Sequence, residues 1–174
     1  NVYYDSSDHA LARAGGSLRW RTFAGSTNAE LTYKGASVVH RGVFRRLEVT
    51  AILPADCDPL TVTPVPEPLR LVRATTAELA STELVLENDR RELLLHGGGA
   101  QIELDLDIST MPNTPYRDLE IEAELVSGTT QVLDDIASLI SAIGPVTPSS
   151  KGKRARGWAY LRRHQALSRA SAQT

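Results

Sequence analysis

The chain has 174 residues, 41% of them apolar and 23% charged, which suits one soluble globular domain with a real core. A formal net charge of -2 excludes a global polycation that would hold nucleic acid whatever its sequence, so any strong field must come from local segregation of charge. The longest apolar runs are too short to span a bilayer, and a single cysteine, Cys57, excludes an intrachain disulfide and fits a reducing, cytoplasmic compartment.

Asn1 opens directly into Val2-Tyr3-Tyr4, which reads as the end of a strand whose start lies upstream. "SSDHALARAGG" follows as a short helix, with Ser7 or Asp8 able to cap it and the glycines to stop it. "SLRWRTF" alternates, with Arg19 and Arg21 on one side and Leu18 and Trp20 on the other. After the "GSTN" turn, "AELTYKG" sets Glu30, Thr32 and Lys34 against Leu31 and Tyr33. "GVFRRLEVTAIL", beginning at Gly42, reads as one strand with Arg46 and Glu48 opposite Leu47 and Val49.

The prolines between Pro54 and Pro68 require an irregular connection, and "LRLVRATTAEL" predicts a short helix or turn. "STELVLENDRRELLLHGGG" predicts a strand or paired strands closed by Gly97-Gly98-Gly99. In "AQIELDLDIS", Glu103, Asp105 and Asp107 share a side. "MPNTP" turns the chain into "DLEIEAELVSG", where Glu120, Glu122 and Glu124 stand about 7 Å apart on one face of a strand. Val132, Leu133, Ile136, Leu139, Ile140 and Ile143 then recur at helical spacing. "PVTPSS" breaks that helix, and a partly helical basic tail runs from Lys151 to Arg169, with Arg154, Arg156, Arg162 and Arg163 as its solvated face.

An antiparallel sheet with one wet face alternates in this way without any ligand. The order of signs argues for more, because the cationic strands come early and the anionic strands late. If the strands close into a barrel, opposite walls carry opposite charge. Converging guanidinium groups fork onto phosphate oxygens, and facing carboxylates hold a hard divalent cation that bridges to phosphate. His9, His40, His96 and His164 have no metal-ligand spacing and read as surface residues, and Cys57 has no motif around it.

"YYDSSDHALARAGGSLRWR", "LTYKG", "RRLEV", "LEIEAELVSG" and "PSSKGKRA" occur in an order and spacing that resembles the CYTH domain, the triphosphate tunnel metalloenzymes. The resemblance runs from Val2 to about Arg154 and implies an α+β fold, a closed eight-stranded antiparallel barrel forming a tunnel with helices outside. Residues 1–174 would then form a single CYTH-like domain lacking the start of its first strand. That strand carries the family's glutamate-x-glutamate-x-lysine motif, so the catalytic residues are expected upstream of Val2.

Matched position by position, the resemblance implies Arg19, Arg21, Lys34, Arg46 and Lys151 as triphosphate contacts. "NDRREL" adds Arg90 or Arg91, of which Arg91 is favoured. Glu48, Asp107 (preferred over Asp105), Glu120, Glu122 and Glu124 are implied as ligands of Mg²⁺ or Mn²⁺. The implied activity is metal-dependent hydrolysis of an inorganic or organic triphosphate. The alternatives are a non-catalytic polyphosphate- or nucleotide-binding module and a class IV-type adenylyl cyclase. The implied partner is a triphosphate-containing small molecule or polyphosphate, with no membrane, no sequence-specific nucleic acid, and room for a fused C-terminal helical domain.

Overall fold

The computed structural model describes residues 1–40, 43–76, 78–79 and 81–171, without side-chain detail at 39, 40, 44, 81–83 and 167–171. Among these residues the fold is α+β, with four helices and ten strands whose pairings are all antiparallel. The strands form sheets of five, three and two. No helix among the described residues is long and apolar enough to cross a membrane. The chain divides into two units, Asn1–Leu86 with the chain from Arg154 onward, and Glu87–Lys153.

The first unit holds β1 (Val2–Asp5), α1 (Ala10–Arg13), β2 (Ser17–Thr22), β3 (Asn28–Lys34), β4 (Val38–His40), β5 (Val43–Arg45), β6 (Glu48–Pro54), α2 (Glu67–Arg73) and β7 (Ser81–Val85). Its main sheet runs β6-β3-β2-β1-β7, and β4 with β5 makes a separate hairpin. Alternation decides the faces. Leu18 pairs with Tyr33 and Trp20 with Leu31, while the intervening Arg19 pairs with Thr32 and Arg21 with Glu30. Leu18, Trp20, Ala29 and Leu31 form the core with Leu11 of α1 and Leu69 and Val72 of α2. Helix α2 tolerates Pro68 because the first turn needs no donor there, and Arg70 and Arg73 lie at its negative end.

Two sequence expectations change here. The single strand expected over "GVFRRLEVTAIL" is broken at Arg46-Leu47, between β5 and β6; its first residue, Gly42, lies outside the described residues. The break follows from Leu47, which is 57% exposed and whose carbonyl accepts from the Gly35 amide instead of extending a ladder. The cap of α1 is also different. Asp5 accepts from the Leu11 and Ala12 amides at 2.9 and 3.0 Å, and the Ser6 hydroxyl accepts from Ala10 at 2.9 Å. Asp8 instead pairs with Arg13 at 2.6 Å, and neither Ser7 nor Asp8 caps the helix through its side chain.

The basic tail becomes α4 (Lys153–Ser171). Arg154 was expected on its solvated face, but its Nη2 lies 2.8 Å from Asp5 Oδ2, and the two side chains are only 12% and 1% exposed. Gly157 packs against Leu84 and Leu86, and Trp158 against the ring of His9, which is half-buried. The first turns of α4 thus meet Asp5 and these apolar residues, while Arg162 and Arg163 are exposed, as expected for the solvated face.

The second unit is a meander, β8 (Glu87–Gly97), β9 (Ala100–Thr110) and β10 (Arg117–Ser127), followed by α3 (Gln131–Ile143). Gly98 and Gly99, at φ +58° and +75°, supply the two left-handed residues that a tight two-residue hairpin requires. Leu93 pairs with Leu104, Leu95 with Ile102 and Leu106 with Ile121, so one face of this sheet is apolar and the other is charged. Helix α3 lies against β10 but buries none of its residues fully.

Asp5→Ala would remove two helix-cap acceptors and the buried carboxylate that pairs with Arg154. Loss of a buried ion-pair partner costs about 3–5 kcal/mol, so equilibrium urea unfolding should show a loss of that order. Asp8→Ala, at an exposed pair, should leave the unfolding midpoint close to that of the wild type.

Candidate functional site

Two charged clusters stand out, one in each unit. In the first unit the non-core face of β2 and β3 carries Arg19, Arg21, Thr32 and Lys34, because these residues alternate with Leu18, Trp20, Leu31 and Tyr33. Lys34 pairs with Glu48 across β3 and β6, and Arg46 reaches the same carboxylate from the break between β5 and β6. The Glu48 Oε1 atom is 3.0 Å from Lys34 Nζ and 2.6 Å from Arg46 Nε. Glu48, implied as a metal ligand, is therefore engaged by two cations here.

The cluster is short of negative charge. Burial lowers the Lys34 pKa, and the Arg19 and Arg46 charges lower it further against the opposing pull of Glu48. Arg19 is 9% exposed, and its buried Nε finds no hydrogen-bond partner among the described residues. A buried guanidinium nitrogen without an acceptor is costly, and an anion would supply one. Arg21 is half-buried, donates from Nε to Asn1 Oδ1 at 2.9 Å and lies 6.0 Å from the centre of the Phe23 ring.

In the second unit the charged face of the meander is set by register. Arg90 pairs with Asp107, Asp107 with Glu120, Glu92 with Asp105, and Asp105 with Glu122. Arg90 forks onto Asp107, Nε to Oδ1 at 2.9 Å and Nη2 to Oδ2 at 2.8 Å, and it also pairs with Asp105. Asn88 donates to Asp107 Oδ1 at 2.9 Å and accepts from the Ser109 hydroxyl at 2.7 Å. Lys153, at the start of α4, places its Nζ 2.7 Å from Asp107 Oδ2 and 3.1 Å from Glu122 Oε2, and pairs also with Glu120.

Asp105 and Asp107 are both fully buried, yet their environments push them apart. Burial raises the Asp105 carboxyl to about 6; Arg90 opposes that rise, and the charges of Asp107, Glu103 and Glu122 add to it. Burial acts on Asp107 in the same sense, but hydrogen bonds from Arg90, Lys153 and Asn88 overcome it and hold that carboxyl far below the ordinary range. Both cations are likewise raised despite burial, Arg90 by Asp107 and Asp105, Lys153 by Glu122, Asp107 and Glu120.

This donor set suits a hard divalent cation. Ligand atoms of Asp105, Asp107 and Glu122 lie within 4.8 Å of one another, all are carboxylate oxygens, and neither oxygen of buried Asp105 accepts a hydrogen bond among the described residues. Four carboxylates, Asp105, Asp107, Glu120 and Glu122, gather around two cations, Arg90 and Lys153.

The implied residues are thus brought into two groups. Arg19, Lys34, Arg46 and Glu48 gather in the first unit, Asp107, Glu120 and Glu122 in the second. Glu124 pairs across the ladder with Glu103, on the same face and farther along. Arg91, favoured from the sequence, pairs with Leu106 on the other face and is exposed, and the carboxylate-facing arginine is Arg90. Lys151 is exposed, and the lysine among the carboxylates is Lys153, two residues on. Asp105 joins Asp107 because the two alternate on one strand. The signal for Arg90 was its parity with Asn88 and Glu92; that for Lys153 was absent, since "SSKGKRA" offers three basic residues at no fixed strand phase.

The fold is that of an α+β protein with a basic cluster in its first unit and an acidic cluster in its second. The CYTH domain family matches residues 1–157, a span that includes the residues of both clusters, and the chain belongs to that family. No curated protein matches the chain.

Arg90→Ala would leave Asp105 and Asp107 without their guanidinium. Unfolding in the presence of a chelator should show a loss of roughly 3 kcal/mol, whereas Arg91→Ala should change stability by less than about 0.5 kcal/mol.

Proposed function

We propose that the protein binds a triphosphate and hydrolyses its terminal phosphoanhydride with Mg²⁺ or Mn²⁺. The observation that carries this is the segregation of charge in a CYTH domain: a cation cluster whose buried Arg19 Nε has no acceptor among the described residues, and a cluster of carboxylates that could hold a metal ion. In the family both kinds of group act on one triphosphate inside a closed eight-stranded barrel, and closure of this chain's strands into such a tunnel is part of the proposal.

Arg19, Lys34 and Arg46 neutralise and orient phosphate oxygens, with Arg21 beside them. Forked guanidinium groups are suited to this because their donors match the oxygens in pairs. Asp107, Glu120 and Glu122, with Asp105 behind them, would hold the divalent cation in competition with the Lys153 ammonium. When bound, such an ion screens substrate charge and stabilises the oxygens between which the phosphoryl group moves. Arg90 keeps Asp107 ionised and fixed in orientation, so the acidic face is preorganised. The chemistry asks little covalent work of the protein, which agrees with the lack of any nucleophile motif around Cys57.

Incubation of the protein with inorganic triphosphate and Mn²⁺ or Mg²⁺ should release orthophosphate, and chelation should abolish it. Arg19→Ala and Asp107→Asn should each lower kcat/KM by roughly 10²-fold or more, the scale of losing one preorganised electrostatic group. Cyclic AMP and pyrophosphate from ATP would overturn hydrolysis in favour of cyclase chemistry. Thermal stabilisation by triphosphate without turnover would reduce the function to binding.

A further inference from the structure

We propose that Asn88, itself oriented by Ser109, is the positioning residue for the Asp107 carboxylate. The inference rests on the reading of Asp107 as a ligand of the divalent cation, and assigns to a neutral amide the task of aiming that ligand.

Asn88 on β8 pairs directly with Ser109 on β9, and Asp107 stands two residues from Ser109 on the same face. Ser109 is 1% exposed, and its hydroxyl donates to Asn88 Oδ1 at 2.7 Å. That bond selects one of the two ways in which the amide can lie. The other would set Asn88 Oδ1 against an Asp107 oxygen, acceptor against acceptor. With the amide so held, Asn88 Nδ2 donates to Asp107 Oδ1 at 2.9 Å, where Arg90 Nε also donates at 2.9 Å. Two donors fill the lone pairs of Oδ1. Oδ2 is the oxygen turned toward the rest of the cluster, 2.7 Å from Lys153 Nζ.

Arg90 by itself is a poor guide for this carboxylate, because its guanidinium is shared with Asp105 and lies 3.8 Å from Glu122. A further cation in place of Asn88 would hold Asp107 but weaken its attraction for a metal ion. An amide supplies direction without net charge, so Asp107 is oriented while its own charge stays available. Hydrogen-bond partners of metal ligands set metal affinity by roughly 10–100-fold. Neither Asn88 nor Ser109 is among the residues that the family resemblance implies for the site.

The test is Mn²⁺ binding to the metal-free full chain, read by calorimetric titration without triphosphate, beside the melting temperature of each metal-free variant. Asn88→Ala should bind Mn²⁺ roughly tenfold more weakly than wild type, and Ser109→Ala should weaken binding in the same sense by a smaller factor. In an Asp107→Asn background, Asn88→Ala should change the affinity by less than about twofold, because the amide acts through that carboxylate. Variants that melt lower yet bind Mn²⁺ as the wild type does would reduce Asn88 and Ser109 to a join between β8 and β9 and overturn the proposal. An equal loss from Asn88→Ala in both backgrounds also overturns it. Should Asn88→Ala fail to fold, Ser109→Ala, which leaves every donor to Asp107 in the chain, makes the same comparison. Asp107→Asn alone separates this inference from the function beneath it. Unchanged Mn²⁺ affinity there removes the metal reading and this role together, whereas weakening by Asp107→Asn but not by Asn88→Ala removes only the role of Asn88.

Discussion

Repulsion among carboxylates on the three-stranded sheet is the constraint around which the acidic unit is built. The register of β8, β9 and β10 stacks Asp105, Asp107, Glu120 and Glu122 on one face, at spacings where like charges raise the energy of the pleat. Two cations hold the arrangement together. Arg90 grips Asp107 with two parallel hydrogen bonds and touches Asp105, and Lys153 sits among Asp107, Glu120 and Glu122. Because Asp105 and Asp107 are fully buried, these pairs are poorly screened, and each cation is held charged against the cost of its own burial.

The basic face has the converse problem. Lys34 and Arg46 share one carboxylate, that of Glu48, and burial with the nearby Arg19 and Arg46 charges pushes the lysine toward its neutral form. Burying cations with too few partners lowers stability unless a ligand makes up the difference. In the function proposed above, a bound polyanion would relieve that cost, and the carboxylates of the second unit would take the divalent cation. The two clusters give the CYTH assignment its chemical content.

Much of the fold was legible from alternation. The strands over 17–22, 28–34, 100–110 and 117–127 and the helix over 131–143 fall where the periodicity puts them, because burial of one face enforces a period of two or of 3.6. The Gly98-Gly99 hairpin was legible for a different reason, that only such residues accept two consecutive left-handed conformations cheaply. Local rules failed where a distant partner decided the outcome. Asp5, not Ser7 or Asp8, caps α1, because Arg154 and the helix amides converge on it from far along the chain. The strand around Arg46 breaks because Leu47 turns outward and its carbonyl serves Gly35.

The amino-acid order alone determined which residue types alternate on which strands, and hence that cationic strands precede anionic ones, because side-chain period is a local property of the backbone. It also carried the family signature over most of the chain. Only the tertiary structure decided strand register, and with it the choice of Arg90 over Arg91, the joining of Asp105 to Asp107, and the placing of Lys153 rather than Lys151 among the carboxylates. A shift of one residue reverses which face a side chain occupies at no cost in local pattern. Contacts between residues far apart in sequence, not the pattern itself, select between the two.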